Sequence, residues 1–228
     1  MRNGLTIGLV CLSLVLAGGC AREAGGGNAL IELGSKKHTR WVSAVAQQAG
    51  AETWASVKRL KFTTTETQDG KVVDRTTHDW DVVGGKDTIN FNGKTLVADL
   101  KSEPTTSEQV QARGIHLAST FALLLPLKLS EPGMTTKHVG AGDFDGRTYD
   151  VLTMTTQLPP PNGLFSAKLY VDPLKVLVRA VEAVNDGQDM GTMTFDAYQN
   201  FNGLLLSTKR RSVDDRRLIT FTDISVSR

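Results

Sequence analysis

Residues 57–100 read VKRLKFTTTETQDGKVVDRTTHDWDVVGGKDTINFNGKTLVADL, and this stretch decides the fold. Apolar and polar residues alternate along it, a pattern typical of strands with one buried face and one solvated face. Three dipeptides, Asp69-Gly70, Gly84-Gly85 and Asn92-Gly93, interrupt the alternation at short intervals. Because such dipeptides favour tight turns, the stretch predicts four consecutive antiparallel strands.

The alternation returns in the C-terminal half of the chain. Further turn signals, among them Asp145-Gly146, Asn202-Gly203 and Asp214-Asp215, divide that half into more short strands. The predicted total is about ten or eleven strands. So many consecutive antiparallel strands cannot lie flat, because their twist accumulates and the sheet curls. The predicted fold class is therefore mainly β (α+β), with a curled antiparallel sheet that forms an unclosed half-barrel.

Two segments repeat their apolar residues at the period of a helix instead. The first is residues 37–49, and the second is residues 104–125. Either Thr105 or Thr106 is a suitable N-cap for the second helix, and Pro126 is expected to end it. The open face of a curled sheet needs an apolar cover, so we expect these two helices to lie over it as a lid.

The N-terminal sequence carries an export signal. Residues 1–19 combine a charged start with a short apolar core, typical of a signal peptide and too short to span a bilayer. The run LSLVLAGGC ends at Cys20 and resembles the lipobox of bacterial lipoproteins. Its nearest leucine, Leu16, lies one residue further from the cysteine than in the usual pattern. The resemblance implies that Cys20 is lipidated and anchors the protein to a membrane.

The residues after the cysteine predict a location and a domain boundary. Ala21 stands where an aspartate retains some bacterial lipoproteins at the inner membrane, so the resemblance favours the outer membrane, facing the periplasm. Residues 20–35 are small and polar, which predicts a flexible tether behind the lipidated cysteine. Residues 36–228 remain for the half-barrel, enough for one domain with a sizeable core.

Charge and cysteine content narrow the classes of function. The chain has 26 Lys and Arg against 24 Asp and Glu, so it is nearly neutral and nucleic acid is not an expected partner. The cysteines are Cys11, in the predicted signal peptide, and Cys20, at the predicted lipidation site. The domain itself then has no thiol for a disulfide, a zinc-thiolate site or a cysteine nucleophile.

Three phrases give the domain a family resemblance: GAETWASVKRLKFT at 50–63, FDGRTYDVLTMTT at 144–156 and LYVDPLKVLVRAVE at 169–182. With the order of the elements, they make residues 37–228 similar to the LolA/LolB-like lipoprotein-carrier family. The resemblance implies an unclosed antiparallel barrel whose helices form a lid over an apolar cavity for acyl chains. The chain departs from the outer-membrane acceptor of that family, which exposes an apolar loop residue where the early turns here are tight and polar.

The candidate ligand-binding residues are large apolar side chains on the predicted helices and on one face of the predicted sheet. Methionine and aromatic side chains make an adaptable wall for a flexible ligand, although the same residues could equally fill a solid core. They are Trp41, Val45, Phe62, Trp80, Phe91, Phe121, Leu124, Leu125, Met154, Met193 and Phe195.

No catalytic or metal-binding motif is found in the sequence. The four histidines, His38, His78, His116 and His138, are scattered, and no pair has the spacing of a helical metal site. The Asp143 to Gly146 stretch reads as a turn, because the further ligands of a calcium loop are missing. There is no nucleophile elbow and no phosphate-binding loop. We therefore expect no cofactor, no metal and no enzymatic activity.

Three functions remain in order of preference. The first is an envelope lipoprotein that binds a hydrophobic ligand, a lipid or lipoprotein acyl chain, and possesses an open apolar cavity for it, with transfer between membranes as a possible purpose. The alternative is a non-catalytic scaffold or interaction module for another envelope protein, which predicts a filled core. A hydrolase or isomerase comes third, and it predicts carboxylates or histidines that point inward.

Overall fold

A computed structural model describes residues 40–158 and 163–228, and the predicted signal peptide, Cys20 and tether lie outside these ranges. Eleven strands account for most of the described chain. They are β1 (Arg59–Gln68), β2 (Lys71–Asp81), β3 (Lys86–Phe91), β4 (Lys94–Asp99), β5 (Met134–Phe144), β6 (Arg147–Gln157), β7 (Leu164–Val171), β8 (Val178–Asn185), β9 (Gln188–Phe201), β10 (Leu204–Ser212) and β11 (Arg217–Ser227).

All eleven strands belong to one antiparallel sheet, in the order β4-β3-β2-β1-β11-β10-β9-β8-β7-β6-β5. Strands β4 and β5 are its two edges, so the sheet is unclosed and the predicted fold class is confirmed. The early hairpins turn at the predicted dipeptides. Asp69 and Gly70 both have positive φ, and so do Asn92 and Gly93, which matches the type I′ turns such dipeptides favour.

Three helices accompany the sheet in the described residues, one more than expected. Helix α1 covers residues 40–48, within the first predicted helix. The four-residue α2 (Ala51–Trp54) follows it at once and lies outside both predicted helices. Helix α3 (Ser107–Lys128) is the second predicted helix. None of these helices is long and apolar enough to cross a membrane.

The sequence predicts the start of α3 correctly but not its end. Thr106 is the N-cap, and with Gln109 it forms a capping box, because each side chain bonds to the other residue's backbone N–H. At the other end the prediction is wrong, since Pro126 lies inside the helix, which continues to Lys128. A proline removes only its own N–H donor, and the buried, apolar surroundings of this last turn hold the helix together.

The buried residues between the helices and the sheet form separate clusters. One cluster joins α1 and the end of α3 to β6, β7, β8 and β9, and it includes Val45, Leu125 and Met154. A second cluster joins α3 to β1, β2, β10 and β11. A third, smaller cluster packs α3 on β3 and β4. Helix α3 therefore takes part in all three clusters and organises the inner side of the sheet.

Candidate functional site

A cavity of about 450 Å³ lies between α3 and the strands β8 to β11. Its volume falls within the usual range of small-molecule sites, and its walls are mainly apolar. The sheet side is formed by Val181, Met193, Phe195 and Ile219 together with the buried Arg210. This is the open apolar cavity that the first functional hypothesis requires and that a filled core lacks.

One face of α3 forms the opposite wall. Its residues are spaced three or four apart, as one side of a helix demands, and they are Gly114, Leu117, Ala118, Phe121, Ala122 and Leu125. Gly114, Ala118 and Ala122 are small and follow one another at intervals of one turn. A Cβ placed on Gly114 would meet no atom within 4 Å, so the space beside this row is open.

The sheet wall contains two arginines, and Arg217 on β11 is paired with Glu66. The other is Arg210 on β10, which has no carboxylate partner in the described residues. The residue is only 2% exposed, and the guanidinium carbon lies 3.6 Å from the centre of the Phe195 ring. Burial lowers the pKa of Arg210 to about 9, so the group is still a cation at neutral pH. The cavity wall is thus mainly apolar, with the positive charge of Arg210 at one position.

Arg210 ties the sheet to α3 through a carbonyl that Pro126 leaves free. Nη2 of Arg210 donates to the carbonyl oxygen of Ala122 at 2.7 Å. Within a helix that oxygen would accept from the N–H of the residue four positions on, which is Pro126 and has none. The interior proline therefore creates an acceptor at the cavity wall, and the arginine satisfies it.

The cavity continues into a more polar depression toward the ends of β9, β10 and β11. The two share Met190, Gly191, Met193 and Arg217 in their walls. Arg217 already makes two hydrogen bonds to the carboxylate of Glu66, at 2.8 and 3.1 Å. This arginine is half-exposed and compensated, in contrast to Arg210.

The structure separates the predicted ligand-binding residues into two groups. Phe121, Leu125, Met193 and Phe195 line the cavity. Three of these four, Phe121, Leu125 and Phe195, also lie in or against the first core cluster. The other seven lie in or against the core clusters without lining the cavity: Trp41, Val45, Phe62, Trp80, Phe91, Leu124 and Met154. Ligand contact for any of the eleven stays a prediction, and the cavity gives the first four the position that contact needs.

Sequence reasoning missed a buried polar cluster on the other side of α3. His78 on β2 and His116 on α3 both place Nδ1 against Oδ2 of Asp87 on β3, at 2.7 and 2.8 Å. Phe62 stacks on the His78 ring, and Trp80 meets the His116 ring edge-on. The cluster links two strands to the helix, although its members lie far apart in the sequence.

The charges of this cluster follow from its hydrogen bonds. Burial opposes ionisation of Asp87, but the hydrogen bonds from His116 and His78 outweigh it and place the pKa of Asp87 below its ordinary value. The carboxylate is therefore ionised at neutral pH and only accepts, so each Nδ1 carries the hydrogen that it donates. Asp87 is fully buried, so it depends on these two donors.

Two imidazole nitrogens and a carboxylate are also a donor set that transition metals accept. The separations of 2.7 and 2.8 Å are hydrogen-bond lengths. Tetrahedral Zn²⁺, with bonds of about 2.0–2.1 Å, would hold its ligand atoms roughly 3.3 Å apart. Among the described residues, Nε2 of His78 also has no hydrogen-bond partner of the kind that a ligating histidine normally has. The distances are therefore those of hydrogen bonds that join α3 and β2 to Asp87 on β3.

Comparison of the sequence with protein-family models and with curated proteins gives no match. Comparison with solved structures does. A LolA superfamily protein from Nitrosomonas europaea superposes with a TM-score of 0.53 at 10% identity, over 82% of this chain and 94% of that one. The domain therefore has the LolA/LolB-like fold that the sequence predicts.

Two further solved structures are similar at TM-scores below 0.5, and the fold assignment does not rest on them. A DUF1329 family protein from Desulfovibrio piger gives 0.45 at 10% identity, over 83% of this chain and 92% of that one. A domain from Vibrio parahaemolyticus assigned to outer membrane lipoprotein sorting gives 0.48 at 11% identity, over 85% and 93%.

Proposed function

We propose that the protein is a non-catalytic envelope lipoprotein that holds one acyl chain, of a lipid or of another lipoprotein, in the cavity beneath α3. The observation that carries this proposal is the cavity itself, with its row of small residues on α3 and its apolar sheet wall. A methylene group occupies roughly the volume of a water molecule, about 30 Å³, so the cavity accepts on the order of 15 of them. That capacity suits a single chain.

The work of such a protein is to keep an acyl chain out of water. Burial is worth about 0.8 kcal/mol per methylene relative to water. A bilayer gives the chain a similar gain, so the cavity can exchange a chain with a membrane without a large net cost. The predicted lipid on Cys20 would keep the carrier at the outer membrane, on its periplasmic side. Transfer between membranes is the use of the cavity that the LolA-like fold suggests.

The two alternatives are less well supported. A scaffold with a filled core has no need of a cavity this large, and native cores rarely leave voids bigger than a water molecule. The enzyme hypothesis predicts inward carboxylates or histidines, and Asp87, His78 and His116 do point inward. None of the three is among the cavity-lining residues, however, so the described cavity brings no ligand to them.

Filling the cavity from α3 tests the proposal. The full chain is reconstituted in phosphatidylcholine vesicles with a trace of a diazirine-bearing palmitic acid methyl ester, and cross-linked peptides are mapped by mass spectrometry. We expect cross-links on α3 and β9. Ala118→Trp places an indole in the cavity, so cross-linking there should fall at least about tenfold.

Gln111→Trp is the matched control, because Gln111 is exposed on the same helix and does not line the cavity. It should leave the cross-linking pattern unchanged. Equal labelling of the two tryptophan variants, or wild-type labelling confined to other surfaces, would show that no acyl chain enters here.

A further inference from the structure

Arg210 differs from every other buried or half-buried arginine in the described residues by its lack of a carboxylate partner. Arg217 pairs with Glu66, Arg179 with Asp196 and Arg113 with Glu103. Those three are partly exposed, whereas Arg210 is almost completely buried. Since an uncompensated buried charge costs several kcal/mol, its presence in an apolar wall needs an explanation.

The hydrogen bonds of Arg210 leave one edge of its guanidinium incomplete. Nη1 donates to the backbone oxygen and hydroxyl of Ser207, and Nη2 donates one hydrogen to Ala122. Nε is buried and has no partner in the described part of the chain. Nε and Nη2 share one edge of the planar group, the kind of edge to which carboxylates bind in a bidentate manner.

Two aromatic rings lie close to the same group. The guanidinium carbon lies 3.6 Å from the centre of the Phe195 ring and 5.4 Å from that of Phe221. These contacts hold the plane of the guanidinium in place without adding a negative charge. A further partner would therefore approach in the plane of the group, and Arg210 is one of the residues that line the cavity.

No acidic side chain of the described residues is free to be that partner. Asp196, the carboxylate whose charge acts on Arg210, forms an ion pair with Arg179 at 3.2 Å. The hydroxyl of Tyr198 donates to the carbonyl of Val178, and burial raises its pKa to about 12, so it stays neutral. The missing negative charge is thus one that the protein does not supply.

We propose that the ligand supplies it: the occupant of the cavity is a single-chain amphiphile whose terminal carboxylate binds the Nε–Nη2 edge of Arg210. This inference rests on the proposed function and specifies its ligand as a fatty-acid-type anion. The head must be compact, because Arg210 is almost completely buried in the wall. The chain then extends along the apolar face of α3 toward the shared opening at Met190 and Gly191.

The test compares an acid with its own ester. The full chain in phosphatidylcholine vesicles receives either diazirine-bearing palmitic acid or its methyl ester at pH 8, and labelling of α3 and β9 is quantified. We expect the acid to label the cavity at least about tenfold more efficiently than the ester, the range typical of a buried charge-assisted contact. Arg210→Met should remove that preference while the ester still labels.

Arg211→Met is the control, because Arg211 is the next arginine on β10 but is exposed and does not line the cavity. It should keep the preference for the acid. Arg210→Lys keeps the positive charge but lacks the two parallel N–H donors of the guanidinium, so it should keep only part of the preference for the acid. It replaces Arg210→Met as the test variant if that protein does not fold.

Each outcome decides a different claim. No labelling of the cavity by either probe would overturn the proposed function together with this inference. Equal labelling by acid and ester in the wild-type protein would overturn only the inference, and so would an acid preference that survives in Arg210→Met or is lost in Arg211→Met. A diazirine-bearing phospholipid as a third probe should label less than the acid, and the opposite order would assign the site to a lipid headgroup instead.

Discussion

The two sides of α3 are covered in opposite ways. Toward β1 to β4 the helix packs solidly, with Leu123 and Leu127 in the core and His116 bound to Asp87. Toward β8 to β11 it presents Gly114, Ala118 and Ala122 to a cavity. Both sides face an apolar sheet, so side-chain size on the helix distinguishes a filled core from an open site. The predictions below test that difference, from the largest expected effect to the smallest.

Removing the carboxylate of Asp87, which binds His78 and His116 on the filled side, should have the largest effect on stability. Asp87→Ala leaves two buried imidazole N–H groups without their acceptor, so we expect a loss of about 3–5 kcal/mol in the free energy of unfolding. Urea denaturation followed by circular dichroism measures it. Asp79→Ala is the control, because Asp79 belongs to exposed ion pairs with Arg59 and Lys61 and should cost about 1 kcal/mol or less.

The same carboxylate should also make stability depend on pH. Its folded-state pKa lies below the ordinary 3.8, so its contribution is complete above about pH 4 and is lost as the pH falls through the folded value. Asp87→Asn cannot titrate, and its stability should fall less steeply than that of the wild type below pH 4. An equally steep loss of stability below pH 4 in the two proteins would contradict an ionised Asp87.

Truncation of one leucine on each side compares the two faces of α3 directly. Leu123 is fully buried in the core, and Leu117 borders the cavity. Leu123→Ala should cost about 2–5 kcal/mol because it leaves a hole in a packed region. Leu117→Ala should cost about 1 kcal/mol or less, since the space beside it is already empty. Equal losses in urea denaturation would mean that the cavity side is as tightly packed as the core.

Gly114→Ala should produce the smallest effect, with the opposite sign. A Cβ at this position meets no atom within 4 Å, so alanine adds helix propensity without a clash. We expect a gain of roughly 0.5–1 kcal/mol in the free energy of unfolding. A loss would show that the space beside Gly114 closes in solution.

The sequence predicts the sheet well because its signals are local. Each early hairpin depends on a dipeptide such as Asn92-Gly93, and each strand on its own alternation, so neither needs knowledge of distant residues. The prediction for the end of α3 is wrong because that end depends on residues that are distant in the sequence. A proline stops a helix when nothing else holds the last turn, and here Pro126 is buried among core residues that come from other parts of the chain.

The site is less predictable because it depends on tertiary position. His78, Asp87 and His116 meet from two strands and a helix, and no spacing in the sequence marks them. A signal for Arg210 does exist, since strand alternation places it in phase with Leu204 and Leu206, which are buried. Which apolar residues line a cavity and which fill a core depends on how closely α3 approaches each part of the sheet.

The central claim is that the cavity beneath α3 holds an acyl chain. The most direct test is to purify the full chain from its membrane in mild detergent and identify, by solvent extraction and mass spectrometry, the molecules released. A covalent lipid at Cys20 would remain with the protein, and lipids carried in the detergent micelle would be released equally from every variant. The account predicts a fatty-acid-type anion bound to the wild type and to Gln111→Trp but depleted from Ala118→Trp. The same extracted profile from all three proteins would contradict it.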